Sequence, residues 1–126
     1  MKITVVINGE EDIKPITKIF DYDKSNEFIF FNTVEIIKNK ISKNLRLNIN
    51  ETLLLFSAFI LSSLNHKESE KIIQEKSTNV LLHHQVLIGV PELLKKLTFS
   101  VTTDYFSDKI SIESPILPDS RIHNLY

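Results

Sequence analysis

Residues 53–61 constrain the fold most, because they form the most apolar stretch of the chain. This stretch and the residue Leu64 supply the apolar side chains of one predicted helix: Leu53, Leu54, Leu55, Phe56, Ala58, Phe59, Ile60, Leu61 and Leu64. A helix with almost no polar face has to be covered on most sides. Ser57 interrupts the stretch, which is also far shorter than the ~20 apolar residues that a bilayer span needs. The sequence therefore predicts a core helix, covered by this chain or by another.

Two further helices are predicted beside this central helix. In the central helix, Asn48 or Asn50 can supply the N-cap, and Glu51 places a favourable negative charge in the first turn. A helix over 25–43 follows from four apolar residues on one face: Phe30, Val34, Ile37 and Ile41. Ser69 can cap a short third helix that ends near residue 76. A last helical pattern comprises Val86, Val90, Leu93 or Leu94, and Leu97. Pro91 either kinks this helix or begins a new one.

Alternating residues predict strands at both ends of the chain. Residues 2–7 form a short strand that ends at an Asn8-Gly9 turn. The stretch 13–20 is extended, but Pro15 limits it to an edge strand or a loop. Residues 98–112 predict a β-hairpin, with these apolar positions: Phe99, Val101, Tyr105, Ile110 and Ile112. The tail from residue 117 is expected to be extended along a surface or loose.

This order of elements predicts an α+β fold, in which a compact helical bundle is followed by a C-terminal antiparallel β-hairpin and preceded by a short N-terminal β extension. The length of 126 residues suits one domain. The chain has no cysteine and no N-terminal signal pattern, which favours a cytoplasmic location. A net charge of −1 argues against nucleic acid and anionic membranes as partners.

No catalytic, cofactor-binding or metal site is recognisable. The histidines are His66, His83, His84 and His123. Neither His66 nor His123 is flanked by a nucleophile or a carboxylate at a spacing typical of a catalytic pair. Adjacent side chains on a helix diverge, so a helical cap or a partner contact suits the 83–84 pair better than chelation. The acidic residues Glu10, Glu11, Asp12, Asp21 and Asp23 lack a calcium-loop pattern. With only two glycines, the chain offers no phosphate-binding loop. The lysines at the end of the first long helix complement the dipole of that helix.

Three short segments, taken in order, resemble the urease gamma subunit, the smallest chain of bacterial-type urease. Residues 47–52 read Leu-Asn-Ile-Asn-Glu-Thr, similar to the entry to that family's central helix. Residues 86–92 read Val-Leu-Ile-Gly-Val-Pro-Glu, and residues 110–116 read Ile-Ser-Ile-Glu-Ser-Pro-Ile, similar to its closing strand. The resemblance divides the chain into an N-terminal extension at 1–26, a gamma-like α+β domain at 27–116 and a tail at 117–126.

The resemblance implies a non-catalytic structural subunit of a urea-hydrolysing complex. Its partners would be the urease alpha and beta subunits, or a fused equivalent, with three such units around a three-fold axis. The nickel ions and their ligands belong to the alpha subunit in this family, so no cofactor is expected in this chain.

The outer side of the predicted hairpin is the candidate subunit contact. Hydroxyl side chains alternate there with apolar ones, and a nearly uncharged face loses little on desolvation. The candidate contact residues are Ser100, Thr102, Pro115 and Ile116. Two alternatives stay open: a stand-alone binding or regulatory module that uses the N-terminal strand as an edge, and a small hydrolase that uses His83 or His84 in a pocket formed on folding.

Overall fold

A computed structural model describes residues 1–9 and 14–117. Within these residues the structure has four strands, four α-helices and a 3-10 helix at His83–Gln85. Their bounds are β1 Lys2–Asn8, β2 Ile16–Asp21, α1 Glu27–Ser42, α2 Ile49–Asn65, α3 Glu70–Ser77, α4 Val90–Leu93, β3 Lys96–Thr102 and β4 Ser107–Glu113. The α+β fold class is confirmed. The described residues do not include 10–13 or the tail from 118 to 126. Outside them lie Glu10, Glu11, Asp12, Ile13 and His123.

The strands form one antiparallel sheet in the order β2-β1-β3-β4. Ile3 pairs with Phe20 on one side and with Val101 on the other, so the first strand joins the C-terminal hairpin. The expectation that the N-terminal strand offers a free edge is therefore wrong, since both its edges are occupied. β2 is an edge strand and begins directly after Pro15. Proline has no backbone N–H to donate to a neighbouring strand, so it is found at the start of a strand or on an edge strand.

The core lies between the helices and one face of this sheet. Alternate strand positions point to that face and are buried: Ile3, Val5, Ile7, Leu97, Phe99, Val101, Ile110 and Ile112. Helix α2 contacts both β1 and β3 and also packs on α1 and α3. Phe56 at its middle is fully buried. One chain therefore covers most of the apolar central helix without a second molecule.

Helix α2 begins at a complete capping box. The Glu51 backbone N–H donates to Asn48 Oδ1 at 2.9 Å, and the Asn48 backbone N–H donates to Glu51 Oε1 at 3.0 Å. Lys40 of α1 also donates to Glu51. Partial burial pushes the pKa of Glu51 upward, but the hydrogen bonds from Lys40 and Asn48 and the charge of Lys40 outweigh it, so this pKa lies below its ordinary value of 4.5.

Glu51→Gln should destabilise the chain near neutral pH by about 1 kcal/mol. A lowered folded-state pKa means that the ionised Glu51 stabilises the fold above its unfolded pKa and loses this effect as the pH falls through the folded value. Urea unfolding of both proteins at about pH 7 and about pH 3 checks this, because the difference in unfolding free energy should shrink in acid. An equal difference at both pH values would show that the charge of Glu51 adds nothing.

The stretch 83–94 differs from a continuous helix. After the 3-10 helix, Val86 forms a parallel bridge with Leu47, and the Leu87 backbone N–H donates to the Leu47 carbonyl at 2.9 Å. Gly89 has a φ of +95°, which favours glycine, and Pro91 then lies in the first turn of α4. The second of the two expectations for Pro91, a new helix, is therefore confirmed.

Candidate subunit-contact surface

The sheet face that points away from the helices is called the outer face here. It is formed by Lys2, Thr4, Val6, Asn8, Thr17, Ile19, Asp21, Lys96, Thr98, Ser100, Thr102, Ser107, Lys109, Ser111 and Glu113, which alternate with the buried positions. Thr4 lies opposite Ile19 and Ser100 in the middle of the sheet. The hairpin residues Ser100 and Thr102 are exposed, so the predicted hydroxyl-rich side of the hairpin extends over four strands.

Hydroxyl groups on this face pair with one another across strands. Thr98 Oγ1 and Ser111 Oγ are 2.9 Å apart, and Thr102 Oγ1 and Ser107 Oγ are 3.3 Å apart. Four charged side chains lie at the ends of the strands: Lys2, Asp21, Lys96 and Glu113. A fifth, Lys109, lies on the edge strand β4 directly opposite Ser100. Between their ends, the two central strands β1 and β3 present only uncharged side chains to this face, and such a centre resembles the charge-depleted core of protein interfaces. This central part of the outer face can therefore be desolvated at low cost.

The two edge strands of the sheet are poorly suited to pairing with a further strand from a partner. Lys18 of β2 lies opposite buried Val5, and Asp108 of β4 lies opposite buried Val101. Both charged residues thus point to the helix side, where they oppose strand addition. Gln74 of α3 also caps β4, because its side-chain amide donates to the Glu113 carbonyl at 3.0 Å and its oxygen accepts from the Glu113 N–H at 2.8 Å.

The structure separates the four candidate contact residues into two groups. Pro115 and Ile116 are buried within the chain itself, and Ile116 belongs to the hydrophobic core. Ser114 turns the chain inward with a φ of +45°, while its backbone N–H donates to the Lys95 carbonyl at 2.7 Å. Sequence periodicity gave no sign of this turn. Pro115 and Ile116 therefore present little side-chain surface to a partner, whereas contact through Ser100 and Thr102 stays a prediction.

A family model described as "Urease, gamma subunit" matches residues 21–116. The chain belongs to the urease gamma subunit family. The match includes all four α-helices and the β3–β4 hairpin, whereas β1 and nearly all of β2 precede it. The N-terminal half of the outer face is thus built by strands outside the urease gamma match.

The histidines of the described residues lie apart from the cleft at the hairpin turn and are held in separate local contacts. His66 Nδ1 lies 2.7 Å from the Ser62 carbonyl oxygen at the end of α2. His83 and His84 lie in the 3-10 helix with their ring centroids 5.5 Å apart and nearly perpendicular. A cleft of about 440 Å³ between α1, α2 and the hairpin turn is lined by Phe31, Leu61 and Tyr105, among others, and by no histidine.

Metal-ligating side chains are not clustered in the part of the chain that the structure describes. Residues 1–9 and 14–117 contain no group of three or more His, Cys, Asp or Glu that could hold a metal ion. The same ranges contain no helix that is long and apolar enough to cross a membrane.

Proposed function

We propose that this chain is a non-catalytic structural subunit of a cytoplasmic urease complex that hydrolyses urea to ammonia and carbon dioxide. Its partners are the urease alpha and beta subunits or a fused equivalent, the nickel ions are held by the large alpha subunit, and three such units assemble around a three-fold axis. The family match over residues 21–116 carries this proposal.

The outer face supports an assembly role. Its uncharged part combines Val6 of β1 and Ile19 of β2 with hydroxyl groups that already bond to one another, such as those of Thr98 and Ser111. Covering these groups leaves their mutual hydrogen bond intact, whereas a face of lysine and glutamate would lose hydration. The inward-pointing charges on β2 and β4 favour face-to-face contact over strand addition.

Affinity purification of the tagged full chain from its native cells tests the proposal. We expect the alpha and beta subunits to co-purify in constant ratio with this chain, and the complex to contain nickel and hydrolyse urea. Recovery of a monodisperse monomer without an enzyme partner would contradict the proposal and favour a stand-alone binding module.

The purified chain alone should neither hydrolyse urea nor bind nickel stoichiometrically, because its described residues bring no three metal ligands together. Ammonia release from urea with added nickel, together with metal analysis after gel filtration, measures both properties. The double variant His83→Ala/His84→Ala is the control for a hydrolase based on either residue. Urea turnover that this variant loses would overturn the structural role.

A further inference from the structure

Strand β3 has the composition of an interior strand. Its helix-side residues are apolar and fully buried: Leu97, Phe99 and Val101. Its outer-face residues after Lys96 carry hydroxyl groups: Thr98, Ser100 and Thr102. An edge strand is normally protected by inward-pointing charges or by proline, as Lys18 protects β2 and Asp108 protects β4. β3 has no such protection between its ends, so it requires a neighbouring strand on both sides.

The segment that matches the urease gamma family supplies only one of these two neighbours. Strand β4 lies within residues 21–116, whereas β1 precedes this range. Every residue of β3 from Lys96 to Thr102 has a partner in β1. Without β1, this side of β3 would expose a row of unpaired backbone N–H and C=O groups, which is a template for the addition of a strand.

Strand β1 fills this position with side chains as well as with backbone. Its helix-side residues Ile3, Val5 and Ile7 are at most 5% exposed, and the strand contacts α2 in addition to β3. Thr4 and Val6 point to the outer face. A slip of one residue would exchange these two sets and bring Thr4 into the core, so the alternation fixes the register of the strand that pairs with β3.

We propose that the side of β3 that faces β1, together with the adjoining part of α2, is a strand-acceptor groove, and that β1 is its built-in occupant. The groove takes an antiparallel strand with apolar side chains at alternate positions. A covalently attached occupant has an effective concentration of roughly millimolar order, so β1 keeps the groove closed to a similar strand from another protein. The proposal rests on the family match and the strand pairing and not on the proposed urease role, so either can fail alone.

Strand replacement in the full chain tests the groove. Val5→Asp places a carboxylate in the fully buried middle of β1 and so weakens the resident strand. A synthetic peptide of residues 1–22, which contains β1 and β2 and has a fluorophore at its C-terminus, is added and followed by fluorescence anisotropy. We expect saturable binding to this variant, at least ~100-fold tighter than to the unaltered chain, whose own β1 competes with the peptide. Binding should also raise the melting midpoint of the variant.

Val6→Asp is the matched control, because Val6 follows Val5 on the same strand but points to the outer face. This variant keeps its own strand in place and should bind the peptide as weakly as the unaltered chain does. A peptide that itself carries Val5→Asp should bind neither variant. Where the Val5→Asp chain does not fold alone, the unaltered peptide without its label should restore the far-ultraviolet circular dichroism signal of the helices.

Two results would overturn the proposal. If the Val5→Asp chain neither binds the unaltered peptide nor refolds with it, β3 does not accept a separate strand. If the peptide binds the Val5→Asp and Val6→Asp chains equally well, or if the altered peptide binds as well as the unaltered one, the peptide attaches to another part of the surface.

Discussion

Phe56→Asp should abolish the cooperative unfolding transition of this chain or lower its midpoint severely. Phe56 lies in the middle of α2 and is fully buried, with 0% of its surface exposed. The substitution loses the packing of a phenyl ring and buries a carboxylate without a partner, which together cost about 4 kcal/mol or more. That is a large part of the ~5–15 kcal/mol that stabilises a typical domain. Thermal melts followed by circular dichroism measure the effect.

Phe28→Asp is the matched control, because Phe28 is 59% exposed in the first turn of α1. This variant should stay within about 0.5 kcal/mol of the parent, as surface substitutions generally do. An unchanged midpoint for Phe56→Asp would show that α2 is not the central core helix.

The second large effect is expected on assembly. Ser100→Lys with Thr102→Lys should leave the isolated chain folded, because both residues are exposed on the outer face and such changes cost within ~1 kcal/mol. The two ammonium groups would have to be desolvated in an interface without matching charges. Co-purification of the alpha and beta subunits with this variant should therefore fail.

The control for this variant adds the same charge elsewhere. Ser62→Lys with Asn79→Lys places two lysines at exposed positions on and near the helices, and this chain should assemble normally. Normal stoichiometry of the Ser100/Thr102 variant with the large subunit would show that the outer face is not an interface.

Local signals predicted the helices well. The Asn48-Ile49-Asn50-Glu51 segment has the spacing of a capping box, and the structure shows both of its hydrogen bonds. Ser69 likewise accepts a hydrogen bond from the Ile72 N–H at the start of α3. In these places neighbouring residues interact with each other, so the sequence order contains the needed information.

Long-range contacts decided what the sequence left open. Period-two alternation identified β1 and the hairpin but not their pairing, which joins Lys2 to Thr102 across nearly the whole chain. Helical spacing placed Val86 and Leu97 on one helical stripe, whereas Val86 forms a bridge with Leu47 and Leu97 lies in β3. The burial of Ile116 follows from the turn at Ser114, which no periodicity announces.

Reconstitution with one component left out tests the structural role most directly. The alpha and beta subunits are expressed with nickel, either with or without this chain, and the size and urea hydrolysis of the product are compared. We expect the full-size active complex to form only when this chain is present in equal number to the alpha subunit. An equally large and equally active complex without this chain would contradict the structural role.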